Sequence, residues 1–322
     1  MEYRSLGRSG LKVSTVGLGC MNFGMMVDQS RTDAIVNKAF DLGVTLFDTA
    51  NIYGGEQGKG EEMLGKALGS RRKDIILATK FGGQRPATKG SPGGGSRSAI
   101  FQTVEESLQR LGTDYIDLYQ IHRPDTSTPI EETLSALDDL VRQGKVRYIG
   151  CSNFDGWQLV EAQWTAQTSH LTAFVSAQNR YSLVTRDVEK ALVPACNLHG
   201  VGILPFFPLE SGLLTGKYAR GVDAPEGTRL AKWGGAFQSD DKYDKLEKLT
   251  DLGQAHGHSI LDIAIGWLVS RPHVSSVIAG VTSPEQLEKN VAAGESTFSA
   301  EQLAAIDEIT APAQAGFGPP RR

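Results

Sequence analysis

The chain predicts an α/β fold, a (β/α)8 TIM barrel with an N-terminal β-hairpin and two extra helices, and two observations carry that reading. Short apolar runs rich in β-branched and aromatic residues recur eight times, most of them starting about 30 residues apart, the length of a βαβ unit. Several of those runs end on a polar or charged residue just where the strand opens into a loop, which is where such barrels keep their chemistry.

The runs are Val16–Gly19, Val44–Asp48, Ile75–Lys80, Tyr115–His122, Val146–Ser152, Ala173–Gln178, Val201–Phe206 and Ser275–Ala279. Amphipathic stretches separate most of them. Arg31–Leu42 places Ile35, Ala39 and Leu42 on one helical face, Ile100–Leu111 does the same with Val104, Leu108 and Leu111, and Ile130–Gln143 with Leu134, Leu137 and Val141. Eight alternations favour a closed parallel barrel over an open doubly wound sheet. Ahead of them, "YRSLGRSGLKVS" gives two short strand-like pieces around Gly7 and Gly10, a hairpin placed to cover the barrel floor. Asp241–His256 and Ala300–Ile309 read as helices outside the barrel count. Gly82–Ser96 and the glycine-rich Gly212–Ser239 read as rim loops, because the elements on either side belong to the same repeating series. One domain spanning residues 1–322 is the simplest organisation.

Composition narrows the function. Hydrophobic content of 40% and charge of 22% describe a globular protein, and a net charge of −4 without a dense Lys/Arg stripe argues against nucleic acid. Cys20, Cys151 and Cys196 are far apart and odd in number, which fits neither a disulfide framework nor a C-x-x-C site. With no apolar leader at Met1 and no run long enough to span a bilayer, the expectation is a cytoplasmic protein without a membrane partner. His256 and His258 are the one pair with metal-like spacing, yet no Cys or carboxylate cluster accompanies them, so no metal is expected. The sequence carries no signal for oligomeric state.

Four residues at strand ends suit proton transfer to an oxygen: Asp48, Tyr53, Lys80 and His122. An ammonium beside a phenol favours phenolate and lowers its pKa, so Lys80 would tune Tyr53. Asp48 would hold Lys80 charged, since buried charges persist only when paired. His122 would orient a polarised carbonyl. Singly, each has an ordinary reading as a cap, packing residue or loop anchor; together they read as a site. No dinucleotide fingerprint accompanies them: "GLGCMNFG" has Asn22 where the third glycine belongs, and "TGKY" at Gly216–Lys217 lacks the spacing of a phosphate loop. The last strand runs better, through Gly280 and Thr282 into Ser283 as helix cap and Pro284 at the first helical position, a natural seat for phosphate. Ser152, Asn153 and Gln178 offer hydrogen bonds for a carboxamide, and Phe206 a face for stacking.

These segments resemble the aldo-keto reductase family along essentially the whole chain: "YRSLGRSGLKVSTVGLG", "FDTANIYG", "LATKFG", "SLQRLGTDYIDLYQIHRPD", "IGCSNF", "AQNRYS", "FPLESGLLTGKY" and "SPEQLEKN". The resemblance implies a barrel that binds a nicotinamide cofactor without a Rossmann fold, and a catalytic tetrad of Asp48, Tyr53, Lys80 and His122. It further implies that Cys20, Met21, Asp48, Ser152, Asn153, Gln178 and Phe206 surround the nicotinamide. Pro208, Leu209, Ser211, Leu213 and Lys217 would follow the pyrophosphate, and Gly280, Thr282, Ser283, Gln286 and Asn290 the adenosine end. Met21 and Phe23 would line the substrate pocket with Tyr53 and His122, and Met25, Met26, the Gly82–Ser96 loop and the Ala311–Arg322 tail would complete it, an apolar and adaptable cavity for aromatic aldehydes, bulky ketones or secondary alcohols.

Two departures stand out: Phe206 replaces a common Tyr with Phe207 beside it, and Gly280 and Gln286 occupy positions where some relatives carry a cation for a 2′-phosphate. The cofactor expectation is NADPH/NADP+, with NADH possible, and the substrate a small-molecule carbonyl or alcohol. The resemblance also covers cytoplasmic β subunits of potassium channels, so a cofactor-binding docking subunit is the alternative.

Overall fold

The computed structural model describes residues 1–83, 94–218, 220–222, 231 and 239–311. Strands β1 (Tyr3–Ser5) and β2 (Lys12–Ser14) form an antiparallel hairpin with Tyr3 opposite Ser14. Eight further strands make one parallel sheet: β3 (Val16–Gly19), β4 (Leu46–Asp48), β5 (Ile76–Phe81), β6 (Ile116–Ile121), β7 (Val146–Ser152), β8 (Ser176–Arg180), β9 (Gly202–Phe206) and β10 (Val277–Gly280). Seven neighbours pair in the order β10-β3-β4-β5-β6-β7-β8-β9, and the last seam closes through Ile203, whose N–H donates to His273 O and whose carbonyl accepts from Ser275 N, both at 2.9 Å. The expected barrel is therefore closed.

Helices α1 (Gln29–Asp41), α2 (Lys59–Leu68), α3 (Arg97–Leu111), α4 (Ile130–Arg142), α5 (Gly156–Thr168) and α6 (Leu192–His199) follow successive strands. The extra helix α7 (Asp240–His256) precedes α8 (Ile260–Val269), then α9 (Pro284–Gly294) follows β10 and α10 (Ala300–Thr310) lies beyond the repeat. Both extra helices expected from the sequence are present, within one residue at either end.

Strand boundaries shift where burial and hydrogen bonding part company. Val44 is buried but precedes β4, and β8 starts at Ser176 instead of Ala173, because pairing with Gly150 and Gly202 begins there. The rim loop Gly82–Ser96, the long segment Gly212–Ser239 and the tail after Ala311 fall largely outside the described residues. Of the second, Glu210–Thr215 forms a short 3-10 turn.

Period-two alternation sorts the strands into two environments. Phe47, Leu77, Phe81, Tyr119, Ile121 and Ile149 pack into the large cluster shared with the helices, whereas Leu46, Ala78, Leu118, Leu204 and Ile278 form a separate cluster inside the barrel. Leu6 and Val13 of the hairpin belong to that inner cluster and are wholly buried, so the hairpin plugs the floor as expected. Gly7 makes the approach possible: at φ +57° it sits where any Cβ would strike the carbonyl of Gly200. Two residues along from Leu46, Ala78 and Leu118, the same inward rows carry Asp48, Lys80 and Gln120, so the interior changes from apolar floor to polar mouth within one pleat repeat. No helix among the described residues is long and apolar enough to cross a membrane.

Truncating the plug at Leu6→Ala leaves a cavity under the barrel and should lower unfolding free energy by about 2–5 kcal/mol in urea titration. Because the hairpin lies at the opposite end from the polar mouth, cofactor affinity of the folded fraction should be unchanged.

Candidate active site

At the end of β5 the Lys80 ammonium lies wholly buried and donates to Asp48 Oδ2 at 2.7 Å and to the carbonyl of Thr49 at 2.8 Å. The other Asp48 oxygen accepts from Gln178 Nε2 at 2.8 Å and Gln120 Nε2 at 3.3 Å. Four strands, β4, β5, β6 and β8, are thus tied together at one charged pair. Tyr53, in the loop after β4, holds its ring 5.1 Å from the Lys80 ammonium. The turn that carries Tyr53 needs Gly54: at φ +114°, an added Cβ would come within 2.5 Å of Gly60 N. His122 immediately follows β6 and meets the Tyr53 ring edge-on, with centroids 5.8 Å apart. All four expected residues converge.

Their proton affinities follow from burial and neighbours. Burial works against charge on Lys80, but Asp48 and then Tyr53 outweigh it and leave its pKa above the ordinary value. For Tyr53 the expectation fails in sign: Lys80 pulls its pKa down, yet burial outweighs that pull and the value is raised, so the phenol is protonated at neutral pH. His122 is pushed down to about 3 by burial and by the positive charges of Lys80 and Arg123, which keeps the imidazole neutral. Its backbone is fixed on both sides, with the N–H donating to Phe81 O at 2.7 Å and the carbonyl accepting from Asn153 Nδ2 at 2.9 Å.

The group opens onto a cavity of about 270 Å³ lined by Gly19, Cys20, Met21, Asp48, Ile52, Tyr53, His122, Arg123, Ser152, Asn153, Gln178, Phe206, Phe207, Ile278 and Gly280. Asn153 adopts φ +60°, a left-handed conformation that Asn tolerates, and also donates to Ser152 Oγ at 3.1 Å. A second cavity of about 470 Å³ shares Phe207, Ile278 and Gly280 with the first and runs along Pro208, Leu209, Ser211, Gly212 and Lys217 to Thr282, Gln286, Lys289 and Asn290. Together they make one groove. A wider depression of about 800 Å³ lies at the other end of the barrel beside Arg72, Tyr115 and Lys145, where none of the four residues reaches.

The groove is built by an unusual loop. After β9, Phe207, Glu210, Ser211 and Gly212 all have positive φ, from +46° to +98°. Glu210 pins this turn: wholly buried, it accepts from Arg180 Nη2 at 2.5 Å, Lys242 Nζ at 2.8 Å and Ser182 Oγ at 2.9 Å. Burial raises its pKa but Arg180 and Lys242 bring it below the usual carboxylate value. The turn leaves Ser211 Oγ buried in the groove lining without a hydrogen-bond partner among the described residues, a donor suited to an anionic ligand. Among the described residues two lysines, Lys217 and Lys289, and no carboxylate line this groove.

Three expected contact residues lie elsewhere. Phe23 is fully buried in the core cluster and touches neither cavity, because the chain folds back between Asn22 and Val27 and turns that ring inward. Leu213 is likewise wholly buried. Ser283 spends its hydroxyl capping α9, accepting from Gln286 N at 3.4 Å, while Gln286 Oε1 folds back to accept from Thr282 N at 2.8 Å. His258 packs on Phe298 with centroids 4.7 Å apart, and no group of three or more metal-ligating residues occurs among the described residues. Ile52, Arg123, Thr215 and Lys289 line the cavities without having been singled out from the sequence. Lys289 had a signal: Gln286, Lys289 and Asn290 share one face of α9 at i, i+3 and i+4.

With the groove and its proton relay in view, comparison with known proteins is decisive: residues 15–311 match the model of the Aldo/keto reductase family. The chain belongs to that family. It is similar to the uncharacterized oxidoreductase YrpG of Bacillus subtilis (strain 168), at 38% identity covering 96% of each chain. It is 37% identical to the L-glyceraldehyde 3-phosphate reductase of Escherichia coli O157:H7, over 96% of this chain and 92% of that one. A probable voltage-gated potassium channel subunit beta of Oryza sativa subsp. japonica is also 37% identical, over 91% of each. As an aldo/keto reductase the chain is an NAD(P)H-dependent oxidoreductase.

The neutral imidazole has a measurable consequence. Unfolded His122 titrates near 6.5 and the folded residue at about 3, so between these values the unfolded chain binds the extra proton and stability falls as pH falls. Replacing His122 by Asn should make the acid limb of a stability–pH curve shallower by about 1.4 kcal/mol per pH unit in that window.

Proposed function

We propose that this aldo/keto reductase is an NADPH-dependent reductase of small aldehydes or ketones, reversible toward the alcohol, with Tyr53 as the general acid. The observation that carries the reading is the Tyr53 phenol beside the buried Lys80–Asp48 pair, in a cavity that shares Phe207, Ile278 and Gly280 with the groove running on to Lys289 and Asn290. A bound reduced nicotinamide supplies the hydride. Ser152, Asn153 and Gln178 would hold its carboxamide, Phe206 its ring face, and Ser211 and Lys217 the pyrophosphate. Tyr53 gives its proton to the carbonyl oxygen as negative charge develops there, and Lys80 stabilises the phenolate left behind. Neutral His122 positions that oxygen without competing for the proton. In alcohol oxidation the same phenolate takes the proton back.

NADPH is preferred to NADH in this reading because Lys289 stands at the adenosine end of the groove on the face shared with Gln286 and Asn290. It supplies the cation that Gly280 and Gln286 lack. The rival reading, a cofactor-binding docking subunit, draws on the likeness to the potassium channel β subunit and predicts cofactor retention without turnover.

Two measurements test these assignments. Tyr53→Phe should lower carbonyl reduction at least a thousandfold, while NADPH affinity, read by quenching of protein fluorescence, stays within about threefold; normal turnover in the variant would remove Tyr53 from its role. Lys289→Ala should weaken NADPH binding about tenfold by the same titration and leave NADH unchanged. An equal loss for both dinucleotides would place Lys289 outside any contact with a 2′-phosphate.

A further inference from the structure

One charged group in the substrate cavity has no part in the proton relay. Arg123 follows His122 directly, is exposed, and lines the same cavity as Tyr53 and Asn153. Its nearest acidic neighbour in sequence, Asp125, is committed elsewhere: that carboxylate accepts from Gly95 N at 2.7 Å, Ser127 Oγ at 2.6 Å and Thr128 Oγ1 at 2.7 Å. Among the described residues Arg123 has no ion-pair partner.

The charge inventory of the cavity gives that isolation meaning. Among the described residues Asp48 is the only carboxylate in the lining, and Lys80 neutralises it at 2.7 Å. His122 is neutral, its proton affinity depressed by burial, by Lys80 and by Arg123, which stands next to it in the same cavity lining. Other lining groups, Met21, Ile52, Ser152, Phe206 and Phe207, carry no charge. The cavity therefore holds one uncompensated positive charge beside its carbonyl-binding end. A guanidinium offers a planar fork of donors that matches carboxylate or phosphate in two parallel hydrogen bonds. At about 270 Å³, part of which the nicotinamide ring must occupy, the space suits a short molecule, smaller than the bulky ketones that the methionines and aromatics of the first loop suggest.

We propose that the substrate is a short aldehyde or ketone bearing a terminal anion, phosphate or carboxylate, and that Arg123 binds that anion while Tyr53 and His122 hold the carbonyl. This rests on the reductase reading and names its substrate class. Arg123 acts on binding and orientation alone, so neutral carbonyl compounds remain substrates, turned over without its help.

The test pairs charged and neutral aldehydes of similar size with NADPH: glyceraldehyde 3-phosphate and succinic semialdehyde against glyceraldehyde and butanal. Wild-type kcat/KM should be at least tenfold higher for the anionic member of one pair or both, and which pair shows it separates phosphate from carboxylate. Arg123→Ala should erase that preference by lowering kcat/KM for the anion about a hundredfold, with the neutral aldehydes within threefold of wild type, and Arg123→Lys should restore part of it. Equal wild-type rates within both pairs, or equal losses for charged and neutral substrates in Arg123→Ala, would overturn the inference while leaving the reductase intact. A second readout needs no turnover: phosphoglycolate and succinate are titrated calorimetrically into the protein–NADP+ complex. Binding by wild type that Arg123→Ala weakens tenfold supports the anion site even if no aldehyde is reduced, an outcome that would sink the reductase reading alone; no binding of either anion, with no preference in turnover, removes the site.

Discussion

The buried Lys80–Asp48 pair is the interaction on which the mouth of this barrel depends. Both groups are nearly shut off from solvent, at 0% and 4% side-chain exposure. Desolvating two charges is expensive, and the cost is recovered only when every remaining donor and acceptor is matched. Here the matching is what organises the site. Asp48 spends one oxygen on Lys80 and the other on Gln178 and Gln120, Gln120 accepts in turn from Ser176, and Lys80 turns to Thr49 and Tyr53. Losing either charge leaves the other unpaired in the barrel interior, so the pair is a structural requirement before it is a chemical one.

That dual role explains the titration of Tyr53. An ammonium alone would draw the phenol toward phenolate, but Lys80 is already paired, and its field at Tyr53 is partly cancelled by Asp48. Burial then decides the sign. The result is a phenol that stays protonated at neutral pH, the state that the proposed acid role requires. Expecting a lowered pKa from sequence counted Lys80 without Asp48 and without the desolvation that both impose.

Much of the fold was legible because its signals are periodic. Strand–helix alternation at a near-regular spacing identifies the barrel, and alternation within the strands identifies which ends face inward; each of the eight apolar runs overlaps a sheet strand. Boundaries were less legible, as Val44 and Ala173 show, because apolar character marks burial while a strand is defined by pairing. The four converging residues were readable from their position at strand ends. Phe23 was misplaced for a specific reason: an aromatic just past a strand reads as pocket lining, and only the tight fold-back between Asn22 and Val27 sends it to the core. Leu213 and Ser283 show the same limit within correct segments, since a motif marks a stretch of chain and not which side chains leave it toward the groove.

The hardest part to read was charge balance, which is a property of neighbours distant in sequence. Lys80, Arg123, Arg180, Lys217, Lys242 and Lys289 are indistinguishable as cations in a string of letters. Structure separates them by partner. Lys80 is neutralised by Asp48, and Arg180 and Lys242 are consumed in fixing Glu210 and with it the left-handed turn that sets Ser211 in the groove lining. Lys217 and Lys289 share a groove free of carboxylates, and Arg123 shares a cavity whose one carboxylate is already satisfied. Of these six cations, the three in ion pairs hold the fold together, and the other three line the groove or the cavity. Electrostatic complementarity favours anionic groups at each of those points, which the proposed phosphorylated dinucleotide would supply along the groove and the proposed charged substrate at the mouth.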